Sequence, residues 1–143
     1  MTPYSSIYFH SEDIPFELKN SDSTIKWIED TINNEGKILG EVSYIFCSDE
    51  YLHKINLKHL NHDNYTDIIT FNYCENYTIS SDVFISIERV KDNAKTYNTD
   101  FINELHRVII HGILHLVGYN DKTNEEQEIM TSKEDFYLSL RKD

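Results

Sequence analysis

Residues 111–121 read HGILHLVGYND, in which two histidines, a glycine and a carboxylate stand at metal-binding spacing. On a helix each residue advances about 100°, so His111 and His115 return to nearly one face with Cβ atoms roughly 6 Å apart. Two imidazoles can then grip one ion. A third ligand cannot come at the right angle from the next turn of a straight helix. Gly118 stands where a helix would end in a left-handed residue, after which the chain can swing Asp121 back toward the histidines. The spacing His-x3-His-x2-Gly-x2-Asp supplies three protein ligands, His111, His115 and Asp121. It leaves a fourth tetrahedral position for water, as catalytic zinc sites do. Two nitrogens and a carboxylate suit Zn²⁺ first, with Mn²⁺, Fe²⁺ and Ni²⁺ as other divalent candidates.

The flanking residues Val108, Ile109, Ile110, Ile113, Leu114, Leu116 and Val117 make this helix apolar nearly all round, so it is expected to be buried and central. Two unpaired imidazoles would be costly there, which favours the ligand reading over a chance pair of surface histidines. For Asp121 the competing role is turn formation. His106 falls outside the spacing and reads as a solvated helix residue.

Working outward, Ile7 to His10 reads as a strand. Ile25, Ile28 and Ile32 recur at helical spacing between Ser23 and Glu35, with Ser21 or Asp22 as cap and Gly36 at the end. Glu41 to Cys47 alternates as a strand with both faces partly covered. Ser48 caps a second helix through Leu52, Ile55 and Leu60. Asp67 to Tyr73 and Asp82 to Ile87 are β-branched and aromatic, and pair as a hairpin across the loop from Cys74 to Ser81. Ser86 caps a helix from Ile87 to Tyr97, and Thr99 caps the metal-bearing helix, Asp100 to Val117. Thr123 to Glu126 is a capping box opening a last helix with Ile129, Met130, Phe136 and Leu140 at its apolar positions. The expectation is an α+β fold: one domain over residues 1–143, with a mixed sheet of about four strands packed with about five helices.

Composition agrees with a globular chain. Its 143 residues suffice for a real core, 39% are hydrophobic, and only 4 Gly and 2 Pro argue against long linkers. Cys47 and Cys74 have no CxxC spacing and read as reduced core residues, favouring the cytoplasm. The opening stretch MTPYSSIYFHSEDIPF lacks the basic and apolar regions of a signal peptide, and no segment reaches about 18 apolar residues, so neither secretion nor membrane insertion is expected. The formal charge of −12 opposes broad contact with a phosphate backbone and demands that nucleic-acid binding be local.

A three-ligand zinc site favours hydrolysis. Zinc peptidases of the HExxH type place a general-base glutamate directly after the first histidine, and here that position is Gly112. Loss of such a base typically costs about 10²- to 10⁴-fold, so a peptidase would need another carboxylate. HGILHLVGYND instead resembles the signature of the YbeY family of bacterial metallo-endoribonucleases and rRNA maturation factors, HGxLHLxGYDH. His111, Gly112, Leu114, His115, Leu116, Gly118 and Tyr119 match it. Asn120 replaces an Asp, and Asp121 stands where the family has its final His. A carboxylate substitutes as a zinc ligand but adds negative charge that weakens the Lewis acid. The family's second block, approximately LNxxYRxxDxPTDVLSF, is followed by NLKHLNHDNYTDIITF at Asn56, Asp63, Thr66, Asp67 and Phe71.

The resemblance implies one zinc per chain and single-strand-specific endoribonuclease activity. It places that activity in 16S rRNA 3′-end maturation and late 70S ribosome quality control, with rRNA and the ribosome or small-subunit precursor as partners. Thr66 and Asp67 either orient a metal ligand or cap a strand, and Arg107 is a candidate for meeting substrate. One departure bears on mechanism: Leu60 aligns with the arginine thought in the family to contact RNA phosphate. Either another cation such as Arg107, Arg89 or Lys58 takes that role, or RNA cleavage is weak or absent. The rival reading is a non-catalytic ribosome assembly factor with a structural metal.

Overall fold

The computed structural model describes residues 6–141. In chain order the elements are β1 (Ile7–Ser11), α1 (Ser21–Asn34), β2 (Ile38–Cys47), α2 (Asp49–Leu60), β3 (Ile68–Asn72), β4 (Thr78–Ser86), α3 (Ile87–Thr96), α4 (Phe101–Leu116) and α5 (Asn124–Ser139). The strands form one mixed sheet in the order β1-β2-β4-β3. β1 and β4 flank β2 in parallel, with Tyr44 opposite both Phe9 and Val83, and β3 runs antiparallel to β4, with Thr70 opposite Val83. The α+β expectation therefore holds, as a four-stranded sheet with five helices among the described residues.

The parallel centre explains why β2 and β4 are hydrophobic on both faces. Val42, Tyr44, Phe46, Val83 and Ile85 build the main core with α1 and α4. On the opposite face Cys47 and Ile69 pack with Leu52 of α2. α4 is the central helix: Leu105, Ile109, Ile110, Ile113 and Leu114 are wholly buried, each worth about 1.5–3 kcal/mol over leaving it in water. It approaches the sheet closely at Gly112, where a Cβ would come within 2.9 Å of Ile68 Cδ1 and 3.4 Å of Thr70 Cγ2. The missing side chain is what lets the helical turn between His111 and His115 lie directly on β3.

Several local expectations change. His106 is buried, only 6% exposed, and packs its ring edge-on to Trp27 at 5.8 Å, because the wide apolar face of α4 also meets α1. Asp100, not Thr99, caps α4, its Oδ1 accepting from the Asn103 N–H at 2.8 Å. α1 opens at Asn20 in a left-handed conformation with no side-chain cap bond, so neither Ser21 nor Asp22 caps it. β2 begins earlier, at Ile38, and β4 at Thr78, which shortens the hairpin loop. Cys74 is only partly buried, unlike Cys47. On α5 the buried face is Met130, Glu134 and Tyr137, whereas Ile129, Phe136 and Leu140 are exposed: one polar position on the stripe displaces the apolar pattern. The Thr123–Glu126 capping box is present as read.

Candidate metal centre

α4 ends in a two-bond turn. Gly118 N–H donates to His115 O at 3.1 Å and Tyr119 N–H to Leu114 O at 3.0 Å, with Gly118 at φ 120°, a region only glycine enters cheaply. Tyr119 is then anchored, its hydroxyl donating to Glu35 Oε1 at 2.7 Å at the end of α1. Glu35 also accepts from the Tyr137 hydroxyl and from Lys133 Nζ, so the turn is tied to both α1 and α5.

This turn returns Asp121 to the histidines. Asp121 Oδ2 lies 3.2 Å from His115 Nε2 and 3.4 Å from His111 Nε2. One ligand atom from each of the three residues falls within 4.8 Å of the others, a group that could hold a metal ion. All three are half-buried, shielded from bulk water yet reachable. The donor set of two imidazole nitrogens and one carboxylate oxygen is chemically suited to a divalent transition ion.

The decisive neighbour is Glu134. Its Oε2 lies 2.6 Å from His111 Nδ1, which leaves Nε2 as the nitrogen turned toward Asp121. A carboxylate holding the far nitrogen of a histidine is how metal-ligating imidazoles are commonly oriented. Glu134 Oε1 accepts from Arg107 Nη1 at 2.7 Å, and Arg107 Nη2 donates to Asp135 at 2.7 Å. Burial alone would lower the proton affinity of His111. The Glu134 bond and the charges of Glu134, Asp121 and Asp67 reverse this, so its pKa is raised.

Of the remaining sequence candidates, Thr66 and Asp67 line the cavity over the ligands, a space of about 410 Å³. Burial pushes the Asp67 carboxyl up, against the pull of His111 and a bond from Asn93 Nδ2 at 3.2 Å. Arg107 does not line that cavity; it serves Glu134 instead. Arg89 is engaged with Asp49 at 2.6 Å, Lys58 is exposed on α2, and Leu60 is exposed at the end of α2, away from the cavity wall. Glu134 was not singled out in the sequence. Its signal was an acid between Met130 and Tyr137 on the buried stripe of a helix, a position an acid occupies only with partners. Gly112 faces Ile68, Thr70 and Val83, so a carboxylate where a zinc peptidase carries its base would have to displace the Ile68 side chain.

The sequence model of the family described as Endoribonuclease YbeY matches residues 6–141. The chain belongs to the YbeY family. Relatives named Endoribonuclease YbeY agree along nearly the full length. That of Amoebophilus asiaticus is 51% identical over 95% of this chain and 93% of its own. That of Flavobacterium johnsoniae is 53% identical over 87% and 90%. The solution structure of TM1509 from Thermotoga maritima superposes with a TM-score of 0.64 at 27% identity, covering 93% of this chain and 87% of that one. No helix among the described residues is long and apolar enough to cross a membrane.

Proposed function

We propose that this YbeY family member is a metal-dependent endoribonuclease of single-stranded RNA, holding one zinc ion through His111, His115 and Asp121. The observation that carries the reading is the convergence of these three side chains on one point, with His111 oriented from behind by Glu134. Bound there, zinc would polarise a phosphoryl oxygen and make water a nucleophile near neutral pH.

The chain's own groups divide the remaining work. Glu134, itself held by Arg107, keeps the proton of His111 on Nδ1 and its lone pair on Nε2. The Gly118 turn, pinned through Tyr119 and Glu35, sets the position of Asp121. Asp67, with its carboxyl pushed up by burial, is the cavity group suited to taking or giving a proton. The family name supports RNA as substrate; we further assign the activity to 16S rRNA 3′-end maturation and ribosome quality control in the cytoplasm, on small-subunit precursors. The non-catalytic assembly reading draws on one observation, the lack of any lysine or arginine among the residues lining the cavity.

The test incubates zinc-loaded, chelated and His115→Ala protein with a single-stranded RNA resembling a 16S 3′ precursor. Cleavage by the zinc-loaded wild type alone is expected. Equal behaviour of all three overturns the reading in favour of the assembly factor, and analysis of the product ends separates attack by water from attack by the RNA 2′-hydroxyl.

A further inference from the structure

The cavity over the metal ligands presents a chemical puzzle for a phosphodiester substrate. Its wall is drawn from Thr66, Asp67, Ile68, Thr70 and Asn72 on one side and from α4 and Asp121 on the other, and among the described residues contributes no lysine or arginine. Arg107 and Arg141 line the larger neighbouring cavity that shares Asp67 and His111, and Arg107 is committed to Glu134 and Asp135. Inside the smaller cavity, groups other than lysine or arginine must hold any phosphate.

β3 supplies an alternative. It is the last strand of the sheet, paired among the described residues with β4 alone. In an antiparallel pair, successive residues alternate between bonding the neighbour and facing away from it. Ser86 N–H donates to Asp67 O and Tyr73 N–H to Ser80 O, both at 2.9 Å. With the register Thr70 opposite Val83, the bonded residues of β3 are therefore 67, 69, 71 and 73. The main-chain groups of Ile68, Thr70 and Asn72 face away from β4, along the free edge. These three residues also line the cavity shared with His111, His115 and Asp121. Successive outward amides lie about 6.8 Å apart, the scale on which phosphates repeat along an extended strand.

Resting on the ribonuclease reading, we propose that the free edge of β3 is the substrate track: the outward amides of Thr70 and Asn72 donate to consecutive phosphates of a single RNA strand laid across the metal centre. The outward Thr70 carbonyl between them accepts from a ribose 2′-hydroxyl, the group that separates RNA from DNA. Only an unpaired strand can take this position, since a duplex cannot bring one backbone alone into a cleft walled by a helix and a strand. Binding through neutral donors also releases few counterions, so the salt dependence is shallow.

The test uses the zinc-loaded full chain. Amide spectra of ¹⁵N-labelled protein are recorded with a phosphorothioate RNA hexanucleotide, which keeps every 2′-hydroxyl and slows cleavage, alongside cleavage kinetics of single-stranded RNA by wild type and Thr70→Pro. Proline removes one outward N–H at an edge position where no ladder bond is lost. The expected results are shifts of the Thr70 and Asn72 amides exceeding those of Ile69 and Phe71, and a KM raised about tenfold with kcat little changed, the loss typical of one bond to a charged group. Thermal melting and zinc affinity establish whether Thr70→Pro is folded; if it is not, the amide shifts decide alone. Cleavage by wild type with no preferential shift at Thr70 and Asn72 overturns the track while leaving the ribonuclease reading intact. Neither cleavage nor any shift overturns both.

Discussion

Replacing Glu134 with glutamine isolates how His111 is held. The side chain is only 8% exposed and faces two donors, His111 Nδ1 at 2.6 Å and Arg107 Nη1 at 2.7 Å. Glutamine keeps the volume but offers one acceptor oxygen, so one donor must face an amide NH₂. If Arg107 keeps the oxygen, His111 loses the bond that fixes its tautomer. Loss of such a supporting carboxylate costs about 10- to 100-fold in metal affinity, or about 1.4–2.8 kcal/mol. A competing effect has the opposite sign. The same carboxylate raises the His111 pKa, so its removal reduces competition from protons. The affinity is therefore measured over a rising pH series, in which a loss that persists separates the lost bond from proton competition, by competition with a chromophoric chelator. Glu128→Gln, on the exposed face of the same helix, is the reference. A Glu134→Gln affinity within twofold of wild type would refute the reasoning.

Other perturbations have equally definite signs. Burial pushes Glu35 up, but the hydroxyls of Tyr137 and Tyr119 together with Lys133 outweigh it, so its pKa is depressed on folding. A depressed carboxyl contributes stability above its unfolded value, about 4.3, and loses it as pH falls through the folded value. Glu35→Gln should thus melt below wild type at neutral pH, with the gap closing as melts are repeated toward about pH 3; a gap constant with pH contradicts the assignment. His106→Ala should cost about 1–3 kcal/mol in urea unfolding while leaving metal stoichiometry at one, because the ring fills space against Trp27; altered stoichiometry would implicate it as a ligand. Gly112→Glu should destabilise by on the order of 3 kcal/mol through an unpaired buried carboxylate, and should bring no peptide hydrolysis.

The convergence of His111, His115 and Asp121 was legible because it is local: with Gly118 they obey helix and turn geometry that spacing alone expresses. The strand pairing was legible for a similar reason, since β-branched runs flank a short loop. What escaped was set by packing across the chain. His106 looked solvated because its burial depends on Trp27, nearly eighty positions earlier. Glu134 was invisible as a supporting group because its partners are on another helix. The caps of α1 and α4 shifted by one or two positions, where several adjacent polar residues were each able to serve. The exposed Ile129, Phe136 and Leu140 show the same limit, since hydrophobicity marks what can be buried and only the neighbouring α1 and α4 decide what is.

The bare backbone of α4 at Gly112 also bears on the history open to this fold. Glycine and glutamate codons can differ by a single base, so a His-Glu-x-x-His motif lies one mutation away. The contact with Ile68 and Thr70 makes that step one through an unstable intermediate. With helix and sheet this close, a glutamate here would cost packing before it could serve as a base.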